Sequence, residues 1–228
     1  MTIRLGENQY GKAETRLVRI DRDGDVHAIT DLTVSTALAG DLADSHLTGD
    51  NAKVLPTDSQ KNTVFAFAQE HGVGEIEEFG LRLARHFVAS QEPIHRARVR
   101  IEQHFWDRID VDGKPAPHSF RRSGAETRTA AVTVDGEQAW VVSGLKDLVV
   151  LNSTGSEFWG YPKDRYTTLP ETHDRILATA VDARWRHATA ASDWAGSYAQ
   201  ARRHLLEAFA QTHSRSLQQT LYAMGSRV

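Results

Sequence analysis

Apolar residues recur along this chain in two periods, and the switches between them mark its elements. Ile76, Phe79, Leu83 and Phe87 stand at the spacing of one helix face, which predicts a helix over 75–89. From 95 to 103 the period drops to two. His95, Ala97, Val99, Ile101 and Gln103 face one way, and Arg96, Arg98, Arg100 and Glu102 the other, the pattern of a half-buried strand. Gly72 and Gly74 separate the first helix from an earlier one, predicted over 58–70. Strands are predicted at 12–20 and 26–36 around an Asp23-Gly24 turn, with Val26, Ala28, Leu32 and Val34 of one parity. Another pair, 127–134 and 138–143, forms a hairpin on Asp135-Gly136. The segment 110–123 reads as a polar loop. The first half is therefore strand, strand, helix, helix, strand, strand.

The order then restarts. A strand is predicted over 147–151, a long irregular connection over 153–180, and a second strand over 183–189. Asp193 opens a helix with Trp194, Tyr198, Leu205 and Phe209 on one face. A last helix over 216–224 groups Leu217, Leu221 and Met224. The chain reads as an α+β fold with an internal repeat, 8–144 and 145–228, whose second copy stops before its closing hairpin. An incomplete copy of this kind leaves an unpaired sheet edge.

Composition narrows the function. The formal net charge is −3 over 228 residues, which disfavours a nucleic-acid-coating protein or an anionic membrane surface as the main partner. There is no cysteine, so thiolate chemistry, disulfides, iron–sulfur clusters and cysteine zinc sites are excluded. The first eight residues hold no apolar run, no window approaches a membrane span, and Ser226-Arg227-Val228 is not the peroxisomal Ser-Lys-Leu address. A cytoplasmic protein is expected. Gly72-Val73-Gly74 lacks the third glycine of a dinucleotide fingerprint, with Glu at position 77, and neither a P-loop nor a His-Glu-x-x-His motif occurs. The histidines are scattered, so no metal site is expected.

Five positions carry candidate chemistry. Thr57 and Gln60, after Pro56, fit a capping box. The same helix start could cap the helix, hold an anionic substrate on its free amides, or both. Lys12 at the first strand's entrance is either a solvated surface residue or, drawn into a pocket, a base. Arg175 follows a second apparent capping box, Thr168 with Glu171. It either pairs with Asp174 or Glu171, or grips a planar anion through two hydrogen bonds. Phe158 is a core anchor or a stacking platform for a flat heterocycle. Gln218 is a surface residue or a donor–acceptor toward a ring edge.

Six segments together resemble urate oxidase (uricase). They are Asn8-Gln9-Tyr10-Gly11-Lys12, Thr57 to Thr63, His104-Phe105-Trp106-Asp107-Arg108, Ser153 to Gly160, Tyr166 through Thr179, and Ser216 to Tyr222. The resemblance implies a tunnelling fold (T-fold) of tandem ββααββ repeats, with an antiparallel sheet and helices on one face. It implies four chains assembled as a homotetramer, with active sites between subunits. The implied reaction oxidises urate with dioxygen and water to 5-hydroxyisourate and hydrogen peroxide, with no cofactor. By the same resemblance, Lys12 and Thr57 belong to a catalytic relay. Thr57 and Asp58 contact the substrate, Phe158 stacks on the purine ring, Arg175 and Gln218 hold its edge, and Leu217 offers a backbone contact. The family's further Asn and relay His match no residue of this sequence, and His213 lies in no matching motif. A non-catalytic fragment or assembly partner of the family is the alternative expectation.

Overall fold

The computed structural model describes residues 3–228. Met1 and Thr2, part of the stretch read for a secretory signal, lie outside the described residues. The chain order is β1 (Tyr10–Asp21), β2 (Ala28–Gly40), α1 (Ala43–Leu47), α2 (Thr57–His71), α3 (Ile76–Ser90), β3 (Ile94–Val111), β4 (Lys114–Asp135), β5 (Gln138–Phe158), β6 (Thr172–Arg186), α4 (Trp194–Gln211) and α5 (Leu217–Arg227). The strands form a six-stranded sheet in sequence order, β1 to β6. Among the described residues, no helix is long and apolar enough to cross a membrane.

The chain divides into two compact units. The first comprises residues up to Gly144 together with Arg184–Ser192, and the second comprises Leu145–Ala183 and Asp193–Val228. In the first unit the periodicities become a core. Ile76, Phe79, Leu83 and Phe87 are fully buried on α3, and Ala97, Val99 and Ile101 are buried on β3. Gly80 lets α3 lie close to the sheet, because a Cβ there would stand 2.8 Å from Val132 Cγ2. Leu32, Val34 and Leu38 on β2 face the same layer, with Leu32 opposite Gln103 and Val34 opposite Ile101. Arg82 donates to the carbonyls of His71 (3.2 Å) and Val73 (2.9 Å), and Arg19 donates to that of Ala68. These guanidiniums satisfy carbonyls that the end of α2 would otherwise leave open.

In the second unit, Asp193 caps α4 by accepting from Gly196 N at 3.0 Å, and Ser216 caps α5 by accepting from Gln219 N at 3.2 Å. Trp194, Tyr198, Leu205 and Phe209 are buried on α4 as the helical spacing predicts. On α5 the buried residues are Thr220 and Met224, whereas Leu221 is exposed. The expected grouping of Leu217, Leu221 and Met224 is thus corrected.

Other expectations differ too. The polar segment 110–123 is a hairpin, not a loop. Asp112 and Gly113 both have positive φ, 52° and 76°, and join Val111 to its partner Lys114. That is the left-handed pair a two-residue hairpin turn needs. The strands expected at 138–143 and 147–151 are one strand, β5, which continues to Phe158 past Asp147 at φ 59°. The irregular connection shrinks to the residues between Phe158 and Thr172, and β6 begins well before the expected 183. Thr168, Pro170 and Glu171 open no helix. Glu171 Oε1 instead accepts from Gly160 N at 3.1 Å and pairs with Lys163 at 3.4 Å, which holds its carboxyl below the usual range. In the polar stretch 40–50, the short helix α1 was not anticipated.

Candidate functional site

The candidate residues fall into two groups, one in each unit. The first is Lys12, Thr57 and Asp58. Pro56 is the residue before the first helical position of α2, and its carbonyl accepts the helix's first bond, from Gln60 N at 3.1 Å. Thr57 therefore lies one position too far into the helix to cap it, and no side chain caps α2. The expected capping box is absent for a simple reason. Its reciprocal half needs an amide hydrogen on the cap residue, and a proline has none.

Gln60 is instead fully buried. Its Oε1 accepts from Thr36 Oγ1 at 2.7 Å and its Nε2 donates to Leu55 O at 3.1 Å. Thr36 Oγ1 also accepts from Lys12 N, at 3.4 Å. Gln60 thus ties the start of α2 to the strand pair that carries Lys12. Next to that lysine, β1 bulges between Lys12 and Thr15, with Glu14 at φ 55° and its amide donating to Ser35 Oγ at 3.0 Å. A bulge of this kind bends its strand and re-aims the neighbouring side chain.

Lys12 is half-buried, and its charge contributes to holding the Asp58 carboxyl below the usual range. The larger causes there are the hydrogen bond from Lys61, at 2.5 Å, and that lysine's charge. Asn62 adds a bond at 3.0 Å. The Asp58 carboxylate is thus engaged along its own helix. The half-buried Thr57 hydroxyl makes no hydrogen bond to any described residue. The first-turn amides of α2 are left without a side-chain acceptor, and such amides attract anions.

The second group is Phe158, Arg175, Leu217 and Gln218. Phe158 ends β5 half-buried, so it is not a core anchor, and it stacks on Tyr161 with ring centroids 4.8 Å apart and planes 16° apart. Arg175, on β6, lies with its guanidinium carbon 5.3 Å from the Phe158 centroid. Its Nε donates to Ser156 Oγ at 3.3 Å, and no carboxylate lies within ion-pair distance of it among the described residues. The expected pairing with Asp174 or Glu171 is not formed. Asp174 accepts from Thr154 Oγ1 and Gly155 N, at 2.8 and 2.9 Å, which lowers its pKa.

Ser156 is fully buried and bridges to Ser214. Glu157 N donates to Ser214 O at 2.8 Å, and Ser214 N donates to Gly155 O at 2.9 Å. Thr220 Oγ1 donates to Ser214 Oγ at 2.8 Å. This ladder fastens the start of α5 to the end of β5. Leu217 and Gln218 lie at that start. Gln218 is exposed beside Leu221 and Tyr222, and its side chain makes no hydrogen bond to another described residue. Sequence reasoning did not single out Ser156, Ser214 or Tyr161. The run Ser153 to Gly160 gave the only signal, since small hydroxyl residues on a strand can enter a backbone ladder without steric cost.

Glu157 is a hub beside this group. Its carboxyl is held below the usual range, first by Trp159 Nε1 at 2.8 Å and then by His213 Nε2 at 3.2 Å, against partial burial. Among the described residues, no three His, Asp or Glu side chains are grouped to hold a metal ion.

The chain is similar to known proteins over nearly its whole length. A family model described as "Uricase" matches residues 8–133 and 141–228. Uricase from Arthrobacter globiformis is 50% identical over 224 residues, covering 98% of this chain and 72% of that protein. Uricase from Aspergillus flavus is 38% identical over 232 residues, covering 96% of this chain and 77% of that protein. The crystal structure of the Arthrobacter globiformis uricase superposes with a TM-score of 0.93 at 49% identity, covering all of this chain and 77% of that one. A uricase structure from Bacillus fastidious gives a TM-score of 0.83 at 26% identity, covering 95% and 77%. The fold is the α+β T-fold of these proteins.

Proposed function

The chain belongs to the uricase family, and on that premise we propose that it oxidises urate with dioxygen and water to 5-hydroxyisourate and hydrogen peroxide without a cofactor. The reaction balances as written. Urate loses two electrons, dioxygen takes them with two protons to become peroxide, and water supplies the hydroxyl at C5. Deprotonated urate is electron-rich enough to give up its electrons directly. The work left to the protein is to hold the anion, move protons and exclude bulk water.

The observation that carries this reading is Arg175. It stacks beside Phe158 and has no carboxylate partner among the described residues, so its two terminal nitrogens are open to a planar, anionic ring edge. Phe158 offers that ring a face in exchange for its stack with Tyr161, Gln218 a donor and an acceptor, and Leu217 its backbone. The unpartnered Thr57 hydroxyl and the open amides of Thr57 and Asp58 supply further donors. Lys12, aimed by the β1 bulge, tunes the Thr57 hydroxyl for proton transfer. Because Lys61 and Asn62 engage the Asp58 carboxylate, it repels an incoming anion less than a free one would. In this reading residues 8–144 and 145–228 are two repeats of the fold, and the working assembly is a homotetramer with sites shared between subunits.

The test follows urate absorbance and peroxide release together, alongside calorimetric titration with a urate analogue and light scattering of the purified chain. Turnover with one peroxide per urate, lost in Arg175→Ala along with analogue binding, is expected. Analogue binding without turnover would remove the oxidase reading, and binding unchanged in Arg175→Ala would remove the site.

A further inference from the structure

The face of the first unit turned away from α2 and α3 carries a second feature that the urate reading does not use. Ala97, Val99 and Ile101 of β3 are buried toward the helices, so Arg96, Arg98 and Arg100 project from the opposite face. Successive residues on one strand face stand about 7 Å apart, so the row sets three guanidiniums side by side. Apart from Asp135 opposite Arg96 on β4, their cross-strand neighbours are small. Ala39, Ala37 and Ser35 lie opposite them on β2, and Thr133 and Ala131 lie opposite Arg98 and Arg100 on β4.

Small neighbours leave a concavity of about 550 Å³, whose lining includes Glu7, Asn8, Gln9, Arg96 and Arg98, with Arg100 next along the row and outside that lining. The charge there is poorly compensated. Arg96 Nε is 3.9 Å from Asp135, the limit of an ion pair. Arg98 Nη2 donates to a neutral partner, Gln9 Oε1, at 3.0 Å. No carboxylate of the described residues lies within ion-pair distance of Arg100. Burial, and then the charges of Arg100 and Arg96, hold the pKa of Arg98 below its ordinary value. Like charges gathered this way are stabilised by any anion that bridges them.

We propose that this row is a binding site for a phosphate-class oxyanion, held by Arg96, Arg98 and Arg100 against the amides of Asn8 and Gln9. Guanidinium forks match the oxygens of phosphate two at a time. No aromatic side chain lines the concavity, so it has no platform on which to stack a base. The recognised element is the phosphate group, whether free or esterified to a small polar alcohol. Glu7 is the one carboxylate of the lining, and it limits affinity for a dianion.

Calorimetry with inorganic phosphate and, separately, a sugar phosphate tests the site at matched ionic strength against potassium chloride. Saturable binding of at least one probe is expected. Arg98→Gln weakens it about tenfold or more, Arg100→Gln weakens it similarly, and Glu7→Gln tightens it. Tighter binding of the ester than of inorganic phosphate identifies an esterified ligand, and the reverse identifies the free ion. Arg100 is exposed and has no ion-pair partner among the described residues, so Arg100→Gln is informative even if Arg98→Gln unfolds by circular dichroism. Absence of saturable binding for both probes overturns the proposal, as does binding unchanged in Arg100→Gln. None of these residues belongs to the urate group, so analogue binding can fail or persist independently of the outcome.

Discussion

The guanidinium carbon of Arg175 stands 5.3 Å from the centroid of the Phe158 ring, while its Nε is tied to Ser156 Oγ at 3.3 Å. One hydrogen bond and one aromatic face thus orient a fork whose terminal nitrogens stay open. Arg175→Lys keeps the charge but loses the planar fork and its stacking. Calorimetry with a urate analogue is expected to show affinity falling about ten- to a hundredfold in Arg175→Lys. Ser156→Ala, which frees Nε without removing the fork, should produce a smaller loss. Equal affinities in wild type and Arg175→Lys would mean that the guanidinium does not grip the ligand.

Gln60 is a structural joint rather than a cap. Replacing it with Leu keeps the volume but leaves the Thr36 hydroxyl and the Leu55 carbonyl without their partner. Buried polar groups stranded in this way cost roughly 1–3 kcal/mol each. Urea denaturation of Gln60→Leu should show a loss of about 2–4 kcal/mol with an unchanged slope. A loss below half a kcal/mol would mean that water replaces the glutamine at little cost.

Gly11 precedes Lys12 on β1, opposite Ala37 of β2. A Cβ at Gly11 would lie 2.0 Å from the Thr36 carbonyl oxygen, which is backbone and cannot rotate away. Gly11→Ala must displace one strand and is expected to cost about 2 kcal/mol or more. Gly6→Ala, with nothing within 4 Å of the added atom, is the control and should leave the melting temperature unchanged. Equal melting temperatures for the two variants would refute the close approach.

His187 and His104 both have pKa values lowered from 6.5, chiefly by burial. Below 6.5 the unfolded chain binds protons that the folded chain still refuses, so stability rises with pH there. Their contribution is complete above 6.5 and is lost as the pH falls through 6.5 toward the folded pKa values. The neutral His187 ring sits in a defined network. Ser143 Oγ donates to Glu77 Oε1 at 2.6 Å, so with its proton committed it accepts from His187 Nε2 at 2.9 Å. Arg128 Nη2 completes the fully buried Glu77 carboxylate at 2.7 Å. Melting temperature should fall between pH 7 and pH 5.5, and less steeply in His187→Gln. An identical slope in that variant would place the acid sensitivity elsewhere.

Legibility differed between the two halves for physical reasons. Helix α3 and strand β3 were readable because each buries one face against a single layer, so the period survives in the sequence. On β5 beyond Asp147 and on β6 up to Leu177, exposed residues such as Val149, Leu151 and Ile176 blur the alternation. Their pairing is written in the backbone ladder, which residue types do not reveal. The 112–113 turn was legible in principle, since Asp-Gly is a hairpin signal, but the polar residues around it masked the strands. The capping box shows the opposite error. The right residue types stood at the right spacing, yet Pro56 took the cap position and the buried Thr36 hydroxyl drew Gln60 inward.

The sequence by itself determined the helices with a single buried face, the strands that alternate cleanly, and membership of a family through six short segments. It did so because those features depend on neighbours a few residues apart or on side-chain identity alone. The tertiary structure decided that Arg175 leaves its adjacent acids and turns to Ser156 and Phe158, and that Gln60 joins a helix to a strand. It also decided that α5 is fastened to β5 through Ser214, and that two arginines of the β3 row, Arg96 and Arg98, line one concavity. Each of these depends on groups far apart in the chain, competing for the same hydrogen bond or the same face. Only a folded backbone can decide that competition.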